Sequence, residues 1–214
     1  MGNYYAIKNR FSQNVIDIQG DSTQAGALLD GYPETNPPSD NQLWEFVPDP
    51  LGSGYFFIKS KLDGNVIDIQ GSSSKSNVPL DVFRQKAAGT VQENNNQLWQ
   101  FLQDPAGSGY CFIMSKLNGN VIDIQESSTK SGALLDSYPM KATGTDNQLW
   151  TVVGGAFPSP VSAVPAPSKG LRSNSNYILY NDCNPVTVNG AYLAVVIDVT
   201  EDIVCQSASG STIG

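Results

Sequence analysis

The chain has 214 residues, 40% of them apolar and only 15% charged, with a net charge of −8 and a pI near 4.3. Twelve Lys and Arg against twenty Asp and Glu cannot easily supply the basic patch that marks partners such as nucleic acid or an anionic membrane. With no histidine, Ser-His-Asp and Cys-His catalysis and His-based zinc sites are excluded.

Three cysteines, Cys111, Cys183 and Cys205, lack C-x-x-C spacing, so neither a metal nor a redox motif is expected. No apolar run approaches the ~20 residues of a membrane span, which argues against membrane insertion. The opening Met-Gly-Asn-Tyr-Tyr has no charged region followed by an apolar one, so no signal peptide is expected within this sequence. Nine Tyr, eight Phe and abundant Gly, Ser, Asn and Gln suit an all-β chain.

The first element begins at Tyr4 as Tyr-Tyr-Ala-Ile-Lys and leads into Asn-Val-Ile-Asp-Ile-Gln at 14–19. A Leu-Asp-Gly-Tyr step follows at 29–32, then Asn-Gln-Leu-Trp at 41–44. The order repeats from Tyr55, with Asn-Val-Ile-Asp-Ile-Gln at 65–70 and Asn-Gln-Leu-Trp at 96–99. It repeats again from Tyr110, with the same stretches at 120–125 and 147–150. Turns of the form Asp-Pro-x-Gly-Ser-Gly at 49–54 and 104–109 join the copies, because Pro fixes φ and Gly supplies φ > 0. The second copy is about four residues longer between Asp81 and Asn96.

Apolar residues alternate in each copy with the strand period. Ile16 and Ile18 form one face and Asp17 the other, as do Ile67, Ile69 and Asp68, and Ile122, Ile124 and Asp123. The isoleucines are the natural core face, so the aspartates are expected to point outward or into a surface pocket. Three copies of short strands predict a closed threefold barrel with hairpin caps, since closure removes exposed sheet edges. Trp44, Trp99 and Trp150 are expected in the core, and Cys111, aligned with Tyr5 and Phe56, as a buried apolar substitute.

The composition then changes. Residues 155–170 are rich in Pro, Ala and Ser and read as a linker. Residues 171–214 hold two strand-like stretches, Asn-Tyr-Ile-Leu-Tyr and Ala-Tyr-Leu-Ala-Val-Val-Ile-Asp-Val-Thr. They are too few for an independent β domain, and read as the start of a second domain or as a packing arm. Cys183 and Cys205 could bridge a hairpin there.

Three recurring sets of polar and aromatic residues are more than a barrel core needs. They are Asp17, Asp30, Tyr32, Asn41 and Gln42; Asp68, Asp81, Phe83, Asn96 and Gln97; and Asp123, Asp136, Tyr138, Asn147 and Gln148. A carboxylate accepts from two adjacent hydroxyls, an amide donates and accepts, and a ring offers an apolar face to a pyranose. Each set is therefore a candidate sugar site. One shallow site per copy predicts ~mM to ~0.1 mM affinity, or ~4–5.5 kcal/mol, with avidity from several sites together. Alternatively, an aspartate beside a turn can simply hold backbone N–H groups.

The three Gln-Leu-Trp stretches resemble the Gln-x-Trp signature of the ricin B-type (R-type) lectins, over residues 1–154. The resemblance implies a β-trefoil of three homologous repeats, followed here by the Pro-rich linker and short β-type segment. It also implies a galactose-type pocket built from the early aspartate, the aromatic platform and the Asn before Gln-x-Trp, with the Gln bracing the aspartate and the Trp in the core. By position these are Asp17, Tyr32 and Asn41; Asp68, Phe83 and Asn96; and Asp123, Tyr138 and Asn147. Asp30, Asp81 and Asp136 stand where family members often contact sugar. The chain departs from the family in lacking a cysteine beside the early strand. Its second copy also carries Phe83-Arg84 where the others have Tyr-Pro, which marks it as the copy expected to differ.

The leading expectation is a non-enzymatic, multivalent lectin for glycans bearing galactose, lactose or N-acetylgalactosamine, without a cofactor. Homo-oligomerisation and compartment are left open, with extracellular placement favoured. A targeting module of a larger enzyme or toxin is the alternative, because the Pro-rich stretch and short terminal segment suggest a missing effector. A trefoil acting on proteins through its loops would leave the triplicated sets unexplained.

Overall fold

The computed structural model describes residues 3–87, 95–158, 187–188, 191–197, 203–207 and 212–213. Each copy supplies four strands. Copy one gives β1 (Ile7–Asn9), β2 (Val15–Ile18), β3 (Ala27–Tyr32) and β4 (Trp44–Pro48). Copy two gives β5 (Phe56–Ser60), β6 (Val66–Ile69), β7 (Val78–Phe83) and β8 (Trp99–Gln103), and copy three β9 (Cys111–Ser115), β10 (Val121–Ile124), β11 (Ala133–Tyr138) and β12 (Trp150–Val152). All their pairings are antiparallel.

The first and last strands of the copies close the barrel. β4 pairs with β5, β5 with β8, β8 with β9, β9 with β12 and β12 with β1, and a single bridge from Tyr5 to Trp44 completes the ring. The middle strands form hairpins β2–β3, β6–β7 and β10–β11, and β3, β7 and β11 pair with one another. This is the β-trefoil, an all-β fold with a closed sheet and no free barrel edge.

The core follows the repeated sequence. Ile16, Ile18, Ile67, Ile69, Ile122 and Ile124 are fully buried with Trp44, Trp99 and Trp150. Each indole N–H donates to the carbonyl two residues into the early strand, Ile16 at 3.0 Å, Ile67 at 3.2 Å and Ile122 at 3.0 Å. The tryptophan thus buries its ring without orphaning its one polar atom. Cys111 is buried as a free thiol among these strands.

Chain contacts divide the protein into two units, Met1–Ser162 and Ala163–Gly214. The first runs past the barrel strands. Phe157 packs on the core, with its ring stacked on Phe101 at 4.6 Å and tilted against Phe46 at 5.5 Å. Copy three has Val152 where copies one and two have Phe46 and Phe101, so Phe157 supplies the third ring of that cluster. Gly155 makes the approach possible, since a Cβ there would lie 2.6 Å from the Tyr5 ring.

In the second unit, β13 (Thr187–Val188), β14 (Ala191–Ile197), β15 (Ile203–Ser207) and β16 (Thr212–Ile213) pair antiparallel in that order. The apolar stretch from Ala191 is the longest of the four. Most of the Pro-rich stretch, the Asn-Tyr-Ile-Leu-Tyr segment and Cys183 lie outside the described residues, and with Cys183 the suggested Cys183–Cys205 bridge.

Candidate functional site

Strand register brings the repeated carboxylates together. Asp17 lies opposite Asp30, Asp68 opposite Asp81 and Asp123 opposite Asp136, on the face of each hairpin turned away from the isoleucines. Like charges directly opposite each other oppose folding unless something screens or protonates them. None of the six points out into solvent: all are buried, Asp17 being 5% exposed. Of the two placements that alternation allowed, outward or into a surface pocket, the aspartates take the second, because the hairpin and the following 3-10 turn wall them in.

That turn carries the amides. Asp40–Gln42, Asn95–Gln97 and Asp146–Gln148 are each one 3-10 turn, in which both the Asn and the Gln are buried. In copy one, Asn41 Nδ2 donates to Asp17 Oδ2 at 3.0 Å and Gln42 Nε2 to the same oxygen at 2.8 Å. Gln42 Nε2 also donates to the Pro33 carbonyl at 3.0 Å. In copy two, Gln97 Nε2 donates to Asp68 Oδ2 at 2.9 Å, while Asn96 Nδ2 donates to the Ile69 carbonyl at 3.1 Å. Copy three exchanges the roles. Asn147 Nδ2 donates to Asp123 Oδ1 at 2.8 Å, and Gln148 Nε2 reaches the Pro139 carbonyl at 2.9 Å.

Burial dominates the acidity of these groups. It pushes the Asp17 carboxyl up to about 7, with Asp30 and Asp21 adding to the rise and Gln42 and Asn41 opposing it. Burial also raises Asp30, Asp81 and Asp136 to about 6, with help from the facing Asp68 and Asp123 in the last two, and raises Asp68 despite the amide of Gln97. One oxygen of each second aspartate, Oδ1 of Asp30, Asp81 and Asp136, is buried without a hydrogen-bond partner.

In copy one the groups surround an open pocket. Asp17, Asp30, Tyr32, Asn41 and Gln42 line it together with Gln19, Gly20, Asp21, Thr35, Ser39 and, from copy three, Gly132. The Tyr32 ring is 46% exposed and forms its apolar wall. Phe83 is similarly exposed in copy two.

Copies two and three differ from copy one by a lysine. Lys86 lies 3.8 Å from Asp68 Oδ2, and Lys141 lies 3.0 Å from Asp123 Oδ2 and over the Tyr138 ring. Copy two was expected to stand apart, but here copy three groups with it. The signal was in the sequence: three residues past the aromatic stand Thr35, Lys86 and Lys141. Ser39 and Asp21 are further residues at the pocket that have no repeated counterpart to draw attention to them. Among the described residues no cluster of acids, cysteines or histidines suits a metal ion.

Comparison with known proteins agrees with this architecture. The designed threefold-symmetric protein ThreeFoil is 28% identical with a TM-score of 0.61, over 70% of this chain and 96% of its own. The exo-β-1,3-galactanase 1,3Gal43A from Clostridium thermocellum is 27% identical with a TM-score of 0.60, again over 70% of this chain but only 29% of the enzyme. The ricin B-like lectin of Macrolepiota procera, solved in complex with lactose, shares the fold at 20% identity and a TM-score of 0.56, over 71% of this chain and 94% of its own. No curated protein sequence matches. The family model described as a ricin-type beta-trefoil lectin domain-like domain matches residues 1–83 and 95–163, and the chain belongs to that family of carbohydrate-binding modules.

Proposed function

We propose that this chain is a lectin module that binds galactose-type sugars through the pocket of copy one, without turning them over. The observation that carries the reading is the convergence there of Asp17, Asn41 and the Tyr32 ring on one open pocket. In galactose the 3- and 4-hydroxyls lie on adjacent carbons and the opposite edge of the ring presents C–H groups. A carboxylate can take both hydroxyls and an aromatic face can take the C–H edge. Asp17 has both of its amide donors on Oδ2, so Oδ1 is the oxygen offered to the sugar. Gln42 then acts as a positioning residue for the carboxylate, and Asp30 and Gln19 line the same pocket. Copies two and three repeat the set, but each also holds a lysine against its first aspartate.

Calorimetric titration with lactose and N-acetylgalactosamine tests the reading. Binding near ~mM affinity, absent for glucose and lost in Asp17→Ala, is expected. No binding of either galactose-type sugar by the wild-type chain would contradict it.

The likeness to part of a galactanase favours a second reading, in which the same pocket anchors a longer enzyme to a galactan. The chain would then bind insoluble β-1,3-galactan without releasing galactose.

A further inference from the structure

Backbone geometry fixes the three variable positions in equivalent places. The N–H groups of Thr35, Lys86 and Lys141 each donate to the side-chain oxygen of their repeat's Gln, at 2.9 Å in every copy. Only the side chain differs. The Thr35 hydroxyl turns back onto the same acceptor, Gln42 Oε1, at 3.1 Å, and the pocket stays open.

The lysines reach inward instead. Lys141 Nζ is 3.0 Å from Asp123 Oδ2, donates to Asn147 Oδ1 at 3.0 Å, and stands 5.4 Å from the centre of the Tyr138 ring. Carboxylate, amide and ring are the three groups that the sugar reading needs, and one ammonium engages all of them. Lys86 Nζ donates to Asn96 Oδ1 at 2.8 Å and to Ser72 Oγ at 3.0 Å, and faces Asp68 Oδ2 at 3.8 Å. Both pairs are sheltered, with carboxylates only 4–5% exposed and lysines 28–29% exposed. They are therefore unlike surface ion pairs, which solvent weakens to almost nothing.

We propose that Lys86 and Lys141 are internal plugs that hold copies two and three closed to neutral sugars, leaving copy one as the one working site. This rests on the galactose reading above for the identity of the ligand, but not for the plug itself. A ligand at copy three has to displace the ammonium and leave Asp123 and Asp136 facing each other. A site open only a few per cent of the time binds about ten- to a hundredfold more weakly than its intrinsic affinity. The alternative, a lysine recruiting an acidic sugar, is disfavoured because the ammonium is already held by a carboxylate and an amide. The second aspartate of each site would also repel an anion.

The test uses the full chain and two readouts. In a residue-resolved NMR titration with lactose, wild-type shifts are expected around copy one alone and are abolished in Asp17→Ala. Lys141→Thr and Lys86→Thr each recreate the residue that copy one tolerates, and each is expected to add shifts in its own copy. Wild-type shifts in all three copies would overturn the plug, as would copy-one shifts in Lys141→Thr with none added in copy three, or binding of glucuronate that depends on either lysine.

The second readout needs no sugar. Acetylation of Lys86 and Lys141 by an amine reagent is expected to run several-fold slower than that of the exposed Lys75 and Lys130, and equal rates would overturn the plug. Slow acetylation with no lactose bound by any variant would keep the plug and reject galactose as the ligand.

Discussion

At Asp17 burial and hydrogen bonding act in opposite directions, and burial wins: the carboxyl is pushed up to about 7 although Asn41 and Gln42 both donate to it. Asp30, Asp81 and Asp136 follow at about 6, and Asp68 is raised as well. A raised carboxyl binds more protons in the folded than in the unfolded chain, so its contribution to stability is complete below about pH 4 and is lost as pH rises through 6 to 7. The sugar-free protein is therefore expected to melt at a higher temperature near pH 5 than near pH 8 in scanning calorimetry. A midpoint that rises over that interval would mean that these carboxyls are ionised far more easily than their burial implies. Sugar hydroxyls favour the charged form of Asp17. Lactose affinity at copy one is then expected to increase from about pH 5.5 to pH 8, with proton release on binding near pH 7. Titrations in two buffers of different ionisation enthalpy measure that release directly.

The residue types of the pocket were readable because they recur three times, and a triplicated Asp, aromatic and Asn-Gln set has no use in a core. Their burial was not readable. Alternation says only which side of the strand Asp17 is on, and whether that side meets solvent depends on the turn at Asp40–Gln42 folding over it. The lysines were visible as a difference at one position, but the direction in which a long side chain turns is set by partners distant in sequence.

Among the elements, the strands and the tryptophan core were the most legible part of the chain. Short alternating runs leave one face to bury, and each Gln-Leu-Trp places a large ring at the start of a barrel strand. The reading weakens where a tertiary gap decides the outcome. Ala156-Phe157-Pro158 belongs by composition to a linker, yet Phe157 packs on the core beside Phe46 and Phe101. The hint is Val152, the one copy of that position without an aromatic ring. Phe157→Ala is expected to cost about 2 kcal/mol, less than a fully buried phenylalanine because the ring is half-buried. Denaturant unfolding of the whole chain measures it, and a cost near zero would show that the ring adds nothing to the barrel.

Over the whole molecule, threefold symmetry holds for the fold but is broken for the pockets. Nearly the same four-strand framework and the same facing aspartates recur in each copy, while a single substitution, Thr35 against Lys86 and Lys141, separates one open pocket from two that hold an ammonium. The acidic balance of the chain, −8 overall, is concentrated in part in these six buried carboxyls. The most direct test of the account is a crystal of the chain soaked in lactose. Galactose is expected against the Tyr32 ring, with its 3- and 4-hydroxyls on Asp17 and its neighbour Asn41. A copy-one pocket that stays empty, or sugar bound away from Asp17, would contradict it.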